Sequence, residues 1–449
     1  MYGIFLTQQT FSDFFYIFGH FFYKITYLCS MKKIRITRPE GKVGGHIVIP
    51  ASKSISNRAL LLQALCDSPD KGTLLNLAEC DDTRALSDAL RKDVFNSPCT
   101  IDINGAGTAM RFLTAYYSCL PNCDVLLTGN ERMKQRPIGP LTEALQNLGA
   151  DITFTDSSGF PPLHIRGKAL QASETTIDGS ISSQFVSALL MMAPVMGSEG
   201  FRLHLQGHIA SRPYIDMTLM LMRQFGITAD WESSDTIVVQ PGNYQPCNLT
   251  IEGDWSAASY WIGLQTIALF RHLDCEIHLE GLVHDSIQGD SVCSTLLNPW
   301  SMMHGEMTPD CAGTPDLIPT LAVVYCLAGR PFRIFGAESL LIKESNRINA
   351  LVNELATLGY PIEVKESEWR GHKEVTLIWN GERREVLLDA SYGAPVIHTY
   401  GDHRMAMAFA PAALVFGNII IEDPEVVSKS YPTFWEDFAR IGFTITAIE

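Results

Sequence analysis

Six segments of the chain share a design that few folds accommodate. Each has a short polar or glycine-containing lead followed by roughly 12–16 residues that are apolar nearly all round, the pattern of a buried helix. They are SKSISNRALLLQALC from Ser52, GAGTAMRFLTAYYSCL from Gly105, SISSQFVSALLMMAPV from Ser180, GDWSAASYWIGLQTIALF from Gly253, GTPDLIPTLAVVYCLAG from Gly313 and GDHRMAMAFAPAALVFG from Gly401. A helix apolar on every face must be covered on every face, and none of the six is long enough to cross a bilayer. The chain must therefore supply a second class of element to wrap them.

That class is present. LTEALQNLGADITF, MTLMLMRQFGITADW, ALVNELATLGYPIEV and FWEDFARIGFTITA read as amphipathic helices stopped by Gly149, Gly226, Gly359 and Gly442, each followed by residues that alternate with period two. Glycine there predicts a left-handed C-cap before a strand. Two further candidates, DDTRALSDALRKD from Asp81 and GDSVCSTLLNPW from Gly289, read as trimmed versions. One buried helix, one surface helix and several strands, occurring six times, imply units of about 60–80 residues, too long for a solenoid repeat. The expectation is an α/β chain of two domains with three units each, divided near residues 250–259. The strands KKIRITRP and GGHIVIP open it.

Bulk properties agree. A length of 449 residues exceeds what one core organises, and 46% apolar with 18% charged residues excludes disorder. The formal net charge of −15 argues against a protein that coats nucleic acid or an anionic membrane. Eleven cysteines without a CxxC pair read as reduced thiols, hence a cytoplasmic protein. Residues 1–30, rich in Phe and Tyr, lack a basic n-region and a small-residue cleavage site, and a membrane span there would bury Asp13, His20 and Lys24. They are expected to be an extension outside the fold, which begins near Met31.

The apolar helices explain their own centres as core, but not their ends. Helix N-termini present free N–H groups and the positive end of the macrodipole. Here they also carry Lys53, Ser54 and Arg58 on the first, Arg111 on the second, Ser182, Ser183 and Gln184 on the third, and His403 and Arg404 on the sixth. The surface helices are led by Arg136, by Ser211, Arg212 and Tyr214, by Lys343, Glu344 and Arg347, and by Lys429. Singly, each has a plain structural reading: a paired surface arginine, a serine N-cap, a core histidine, or Asp316 capping its own helix. Together they set at least seven cations on corresponding ends of corresponding helices in an acidic protein. Two phosphate- or carboxylate-bearing ligands between the domains would neutralise such a cluster. The chain has neither a G-x-x-x-x-G-K-S/T loop nor a G-x-G-x-x-G fingerprint, which argues against a nucleotide, and no metal-ligand spacing.

PASKSISNRAL, AGTAMRFL, RMKQRPIGPL, SISSQFVSALL, SRPYIDMTL, EGDWSAASY, IKESNRI and YGDHRMAMAF, occurring in that order, resemble the 3-phosphoshikimate 1-carboxyvinyltransferase (EPSP synthase) family from about Lys32 to the C-terminus. The resemblance implies a two-domain inside-out α/β barrel of the enolpyruvyl transferase type, with six βαβαββ-like repeats, three per domain. Residues 31–51 plus 254–449 would form the first domain and 52–253 the inserted one. It implies transfer of the enolpyruvyl group of phosphoenolpyruvate to the 5-hydroxyl of shikimate 3-phosphate, by a monomer that needs no metal or organic cofactor. Shikimate 3-phosphate would meet Lys53, Ser54, Arg58, Ser182, Ser183, Gln184, Ser211, Tyr214, Asp316 and Lys343. Phosphoenolpyruvate would meet Lys53, Gly107, Arg136, Gln184, Arg347, Arg404 and Lys429. Asp316 would take the hydroxyl proton and Glu344 would handle the proton at C3, with Lys53 and Lys343 supporting.

Gly107 leaves room for phosphonates of the glyphosate type. The chain departs from the family where Asn104-Gly105-Ala106 replaces Gly-Asn-Ala/Ser, at Phe112, and at Ser339 and Leu341. Two rivals share the architecture. One is enolpyruvyl transfer to UDP-N-acetylglucosamine, whose enzymes resemble a Lys-Asn pair where this chain has Lys53-Ser54. The other is a non-catalytic anion-binding relative.

Overall fold

The structure is a computed structural model and describes residues 32–448 apart from 96–97, 197–198 and 370–371. The expectation for residues 1–30 lies outside the described residues. Among these, no helix is long and apolar enough to cross a membrane.

Two hydrophobic clusters organise the chain. One joins Ile34–Ile49 to residues from Trp255 to Phe443; the other runs from Ala51 to Ile251. Lys53–Leu65, Gly107–Cys119 and Ser183–Met196 lie in the second, and Trp255–Phe270, Ile318–Ala328 and His403–Phe409 in the first. Polar leads cap several of them: Ser52 Oγ accepts from Ile55 N, Asp254 from Ala257 N and Asp402 from Arg404 N, each using an N–H that the helix leaves unpaired.

Three sheets cover each cluster. Around the first, Val396–Ile397, Asn418–Glu422, Lys33–Thr37 and Thr444–Ile448 form one sheet in that order, and Phe332–Ile334, His372–Trp379 and Glu363–Trp369 a second; Cys275–Glu280 pairs in parallel with Val43–Val48 as a third. Lys33 stands opposite Glu422 on one side and Ile448 on the other, so the first strand completes the C-terminal sheet. Around the second cluster, Cys99–Asp102, Asp124–Thr128, Leu163–Arg166 and Asp151–Phe154 form one sheet. Ala229–Trp231, Thr236–Val239, Phe201–Gln206 and Glu174–Asp178 form another, and Leu249–Thr250 pairs with Leu74–Leu75. The surface helices Gly139–Asn147, Arg212–Gln224, Arg347–Thr357 and Phe434–Arg440 each end before a glycine at positive φ, namely Gly149, Gly226, Gly359 and Gly442. The period change in the sequence marks these ends.

Two elements differ from the sequence expectation, and a third, the segment from Gly289, is trimmed as expected. Proline, with no N–H to give, splits the sixth apolar segment into His403–Phe409 and Ala412–Phe416 around Pro411. Asp81–Arg91 is a full helix, not a trimmed one. The segment from Gly289 is reduced to the turns Gly289–Val292, Cys293–Leu296 and Pro299–Met302, beside a sheet of only two strands.

The chain passes between the clusters twice, and the two passages touch. Ala51 bridges Gly253, Ser52 N donates to Glu252 O at 2.8 Å, and Asp254 N donates to Pro50 O at 2.8 Å. Gln288 clasps the second passage: its Nε2 donates to Gly253 O (2.9 Å) and Glu252 Oε1 (2.8 Å), while its Oε1 accepts from Trp255 N. The same turn buries Asp290, whose Oδ2 accepts from Ser256 Oγ while Oδ1 has no partner among the described residues. Burial, with Asp316 adding to it and Arg404 and the Ser256 hydroxyl opposing, pushes the Asp290 carboxyl up to about 6.

At the other end of the chain, Phe434 sits among Trp261, Tyr431, Trp435 and Phe438 with ring centroids 5.0–5.6 Å away, anchoring the turn Pro424–Lys429 that presents Lys429. Phe434→Ala is expected to lower unfolding free energy by about 3–5 kcal/mol, read by denaturant titration. Asp290 titrates above its unfolded value, so its contribution to stability is complete below about pH 4 and lost as pH rises through about 6. Asp290→Asn should therefore gain on the parent by ~2–3 kcal/mol between pH 4 and pH 8 in paired unfolding curves. A constant difference would contradict the burial of an ionisable carboxyl there.

Candidate active site

The helix starts of both clusters converge on one cavity of about 70 Å3. From the second cluster it is lined by Ser54, Arg58, Arg136, Ser182, Ser183, Gln184, Ser211 and Tyr214; from the first by Asp316 and Lys343. The helix lead after Ser180 supplies Ser182, whose Oγ accepts from Gln184 N, and Gln184 Nε2 in turn donates to Thr108 Oγ1 at 3.2 Å. Ser211 adopts φ 54°, an uncommon conformation for a residue with a side chain, and its N–H donates across the cleft to Ala312 O at 3.0 Å.

Two carboxylates organise the cations. Asp316 Oδ2 accepts from Arg404 Nη2 at 2.7 Å, and its Oδ1 accepts from Arg347 Nη1 at 3.0 Å and lies 3.6 Å from Lys343 Nζ. Glu344 Oε2 accepts from Arg347 Nη2 at 2.8 Å, and its Oε1 lies 3.3 Å from Lys429 Nζ and 3.5 Å from Arg136 Nη1. Arg347 is held from behind by Asp402, Nε to Oδ2 at 2.7 Å. Burial alone would raise both carboxyls, but the cations outweigh it: Arg404, Lys343 and Arg347 hold Asp316 well below the usual carboxylate range, and Lys429, Arg136 and Arg347 do the same to Glu344. Burial dominates at Lys343, whose pKa is lowered despite Asp316.

Other cations carry no such partner. Arg58, 2% exposed, donates to Thr218 Oγ1, Ser187 Oγ and the carbonyls of Ser54 and Tyr214, and no carboxylate pairs with it among the described residues. Arg111 is likewise buried and bonded to the carbonyls of Gly107 and Pro137, with Nε unpartnered among the described residues. Desolvation lowers the pKa of both, to about 10 for Arg58. A buried guanidinium facing a cavity without a counter-ion is a site for an anion.

Lys53 stands outside the cavity lining. Its Nζ donates to Asp82 Oδ2 at 2.9 Å, and despite burial Asp82 raises its pKa; its charge reaches His403 and Arg404. Gly107 lies under Arg136: a Cβ there would sit 2.6 Å from Nη1. Lys429 Nζ crosses the cleft to Gly105 O at 2.8 Å.

Of the residues singled out from the sequence, Glu344, Arg347, Arg404 and Lys429 join the cavity's side chains through the two carboxylates, while Lys53 and Gly107 border the group. Residues that sequence reasoning did not single out for ligand contact include Asp82 and Asp402, which hold Lys53 and Arg347. Arg111 and Ser339 line the cavity, and Ser339 Oγ has no partner among the described residues. His403 is buried, neither ring nitrogen has a hydrogen-bond partner among the described residues although Nδ1 lies 3.7 Å from Asp402 Oδ1, and burial with neighbouring cations lowers its pKa. Arg111 and His403 stand among the helix-mouth residues named in the sequence, without a ligand assigned to either. Asp82 and Asp402 follow ordinary acidic residues at helix starts, and nothing in the pattern separates them from caps.

Comparison with known proteins agrees with this geometry. Residues 37–438 match the family described as EPSP synthase (3-phosphoshikimate 1-carboxyvinyltransferase). A 3-phosphoshikimate 1-carboxyvinyltransferase of Bacteroides fragilis (strain YCH46) is 45% identical over 415 residues, 89% of this chain and 95% of that protein. The Yersinia ruckeri protein of the same name is 34% identical over 443 residues, 90% and 98% of the two chains. Among solved structures, EPSP synthase from Acinetobacter baumannii superposes with a TM-score of 0.70 at 20% identity, covering 93% of this chain and all of that one. The enolpyruvyl transferase NikO from Streptomyces tendae gives 0.64 at 14% identity with the same coverage. The fold is thus the α/β fold of the enolpyruvyl transferases, and the chain belongs to the EPSP synthase (3-phosphoshikimate 1-carboxyvinyltransferase) family.

Proposed function

We propose that this enzyme transfers the enolpyruvyl group of phosphoenolpyruvate to the 5-hydroxyl of shikimate 3-phosphate, with release of phosphate. The observation that carries the reading is the gathering of eight basic side chains, Lys53, Arg58, Arg111, Arg136, Lys343, Arg347, Arg404 and Lys429, around four carboxylates, Asp82, Asp316, Glu344 and Asp402. Formally, four positive charges remain for ligands. Shikimate 3-phosphate takes Lys53, Ser54, Arg58, Ser182, Ser183, Gln184, Ser211, Tyr214 and Lys343, with the unpartnered Ser339 hydroxyl available beside them. Phosphoenolpyruvate takes Lys53, Gln184, Arg136, Arg347, Arg404 and Lys429 over Gly107. Both metabolites are placed in the cavity where the helix starts of the two clusters meet.

In this reading the ion pairs are placeholders. The 5-hydroxyl adds to C2 of phosphoenolpyruvate, passing its proton to Asp316, as C3 takes a proton from Glu344, protonated in the complex; the tetrahedral adduct then expels phosphate, which takes the proton held by Asp316, as C3 returns its proton to Glu344. Asp316 accepts the hydroxyl proton. Unliganded, it is a weak base because Arg404, Lys343 and Arg347 surround it. When the phosphate and carboxylate of phosphoenolpyruvate draw Arg347 and Arg404 away, its basicity rises at the moment the substrate is in place. Glu344 gains proton affinity in the same way as Arg136 and Lys429 turn to the ligand, and it carries the proton at C3. Lys343, its pKa already lowered by burial, and Lys53 stabilise the developing charge. The addition and elimination need no metal or organic cofactor. One chain supplies every group, so a monomer suffices, and ten free cysteines among the described residues suit a cytoplasmic setting.

The deciding assay is phosphate release from phosphoenolpyruvate. It should require shikimate 3-phosphate and should not proceed with UDP-N-acetylglucosamine. Release only with the sugar nucleotide, or with neither acceptor, overturns the proposal. Lys53→Ala should reduce kcat/KM by about a thousandfold or more, the scale of losing a charge stabiliser in a dry site. In Gly107→Ala, the new methyl must displace the Arg136 guanidinium from 2.6 Å. Steady-state kinetics should show KM for phosphoenolpyruvate raised roughly tenfold, with that for shikimate 3-phosphate nearly unchanged.

A further inference from the structure

Arg132 is an exposed residue in the turn that also carries Arg136, and its side chain reaches the opposite domain. Its Nε donates to Glu344 O at 2.8 Å and its Nη2 to Lys343 O at 3.0 Å, while Nη1 lies 3.4 Å from Gln135 Oε1 on its own turn. Two consecutive carbonyls thus accept from one planar fork, a geometry that an ammonium cannot reproduce. The turn is fixed at its base: Asn130 N donates to Asn104 O, Asn130 Oδ1 accepts from Met133 N, and Met133 is buried in the second cluster. The grasped segment belongs to the first cluster, between the turn Glu338–Ile342 and the helix Arg347–Thr357.

The charged partners of Glu344 are Arg136, Arg347 and Lys429. In the proposed reaction all three turn to phosphoenolpyruvate, which leaves the Glu344 carboxylate without the contacts that position it in the unliganded protein. Among the described residues, its backbone is tied across the cleft by the fork of Arg132, which holds main-chain carbonyls and not the side chains assigned to substrate. We infer that Arg132 is a positioning residue that registers the Lys343–Glu344 backbone against the Arg136 turn in the closed enzyme, so that the proton carrier stays aligned while its ion pairs exchange for substrate. This rests on the reaction proposed above.

The test compares the parent with Arg132→Ala and Arg132→Lys in the phosphate-release assay, alongside direct titration of shikimate 3-phosphate. The parent must first turn over, and its failure would fall on the reaction, not on Arg132. Given turnover, Arg132→Ala should lose kcat by about tenfold to a hundredfold, the scale of a misplaced catalytic group, while affinity for shikimate 3-phosphate moves less than about threefold. Arg132→Lys should recover only part of the loss, and millimolar guanidinium should restore activity to the Ala variant without affecting the parent. A kcat within about twofold of the parent in the Ala variant, full recovery by lysine, or a loss that guanidinium leaves untouched would each overturn the inference.

Discussion

The structure depends on an electrostatic imbalance kept away from water. Cations taken out of solvent without counter-ions are strongly unfavourable, and this chain gathers them at the junction of two cores. Asp316 and Glu344 make the gathering tolerable, each held by three basic side chains, with Asp402 behind Arg347 and Asp82 beside Lys53. The same carboxylates that stabilise the unliganded cleft are the groups to which the proposed reaction assigns the proton transfers. Arg58 and Arg111 lack even this compensation and rely on carbonyls and hydroxyls. They keep part of the cavity electropositive whatever the carboxylates do.

The fold delivers this imbalance through its helix polarity. Wrapping three apolar helices inside sheets, twice over, hides the helix bodies and leaves their starts to face the other cluster. The cations and hydroxyls at those starts therefore meet without any long excursion of side chain. Direct backbone contacts tie the halves close to the site: Ser211 N to Ala312 O on one flank and Ala51 against Gly253 at the passage. The clasp of Gln288 on Glu252 and Gly253 fixes the second passage between the two clusters.

Much of this was legible because burial imprints periodicity. The six apolar runs, the four glycines at helix ends and the switch to alternation fixed the type of most elements before any coordinates. What periodicity does not record is where a helix breaks inside an apolar run: Pro411 interrupts the sixth segment, and its neighbours are apolar on either side. For the site, the basic residues stood out because they interrupt apolar patterns. Their carboxylate partners did not. Asp82 and Asp402 sit at helix starts where acidic residues are common for reasons of dipole and capping alone, and pairing across 29 residues, as between Lys53 and Asp82, leaves no local trace. Arg132 was invisible for the opposite reason: its targets are main-chain carbonyls, which every residue possesses.

The overall charge sharpens the question of how anionic metabolites reach such a site. A formal net charge of −15 repels them at long range, but screening confines that repulsion to about 8–10 Å at physiological ionic strength. Inside the cleft, low polarisability and exclusion of water strengthen each local contact. Affinity is therefore set by the buried excess of cations, and it is available only to a ligand charged enough to replace Asp316 and Glu344 at their arginines. A neutral molecule of the same shape would leave those pairs intact and, in the proposed reaction, Asp316 a weak base. In the proposed reaction, selection for charge and activation of the base are in this way one event: the ligand that displaces the placeholders is the ligand whose arrival makes the carboxylates basic enough to act.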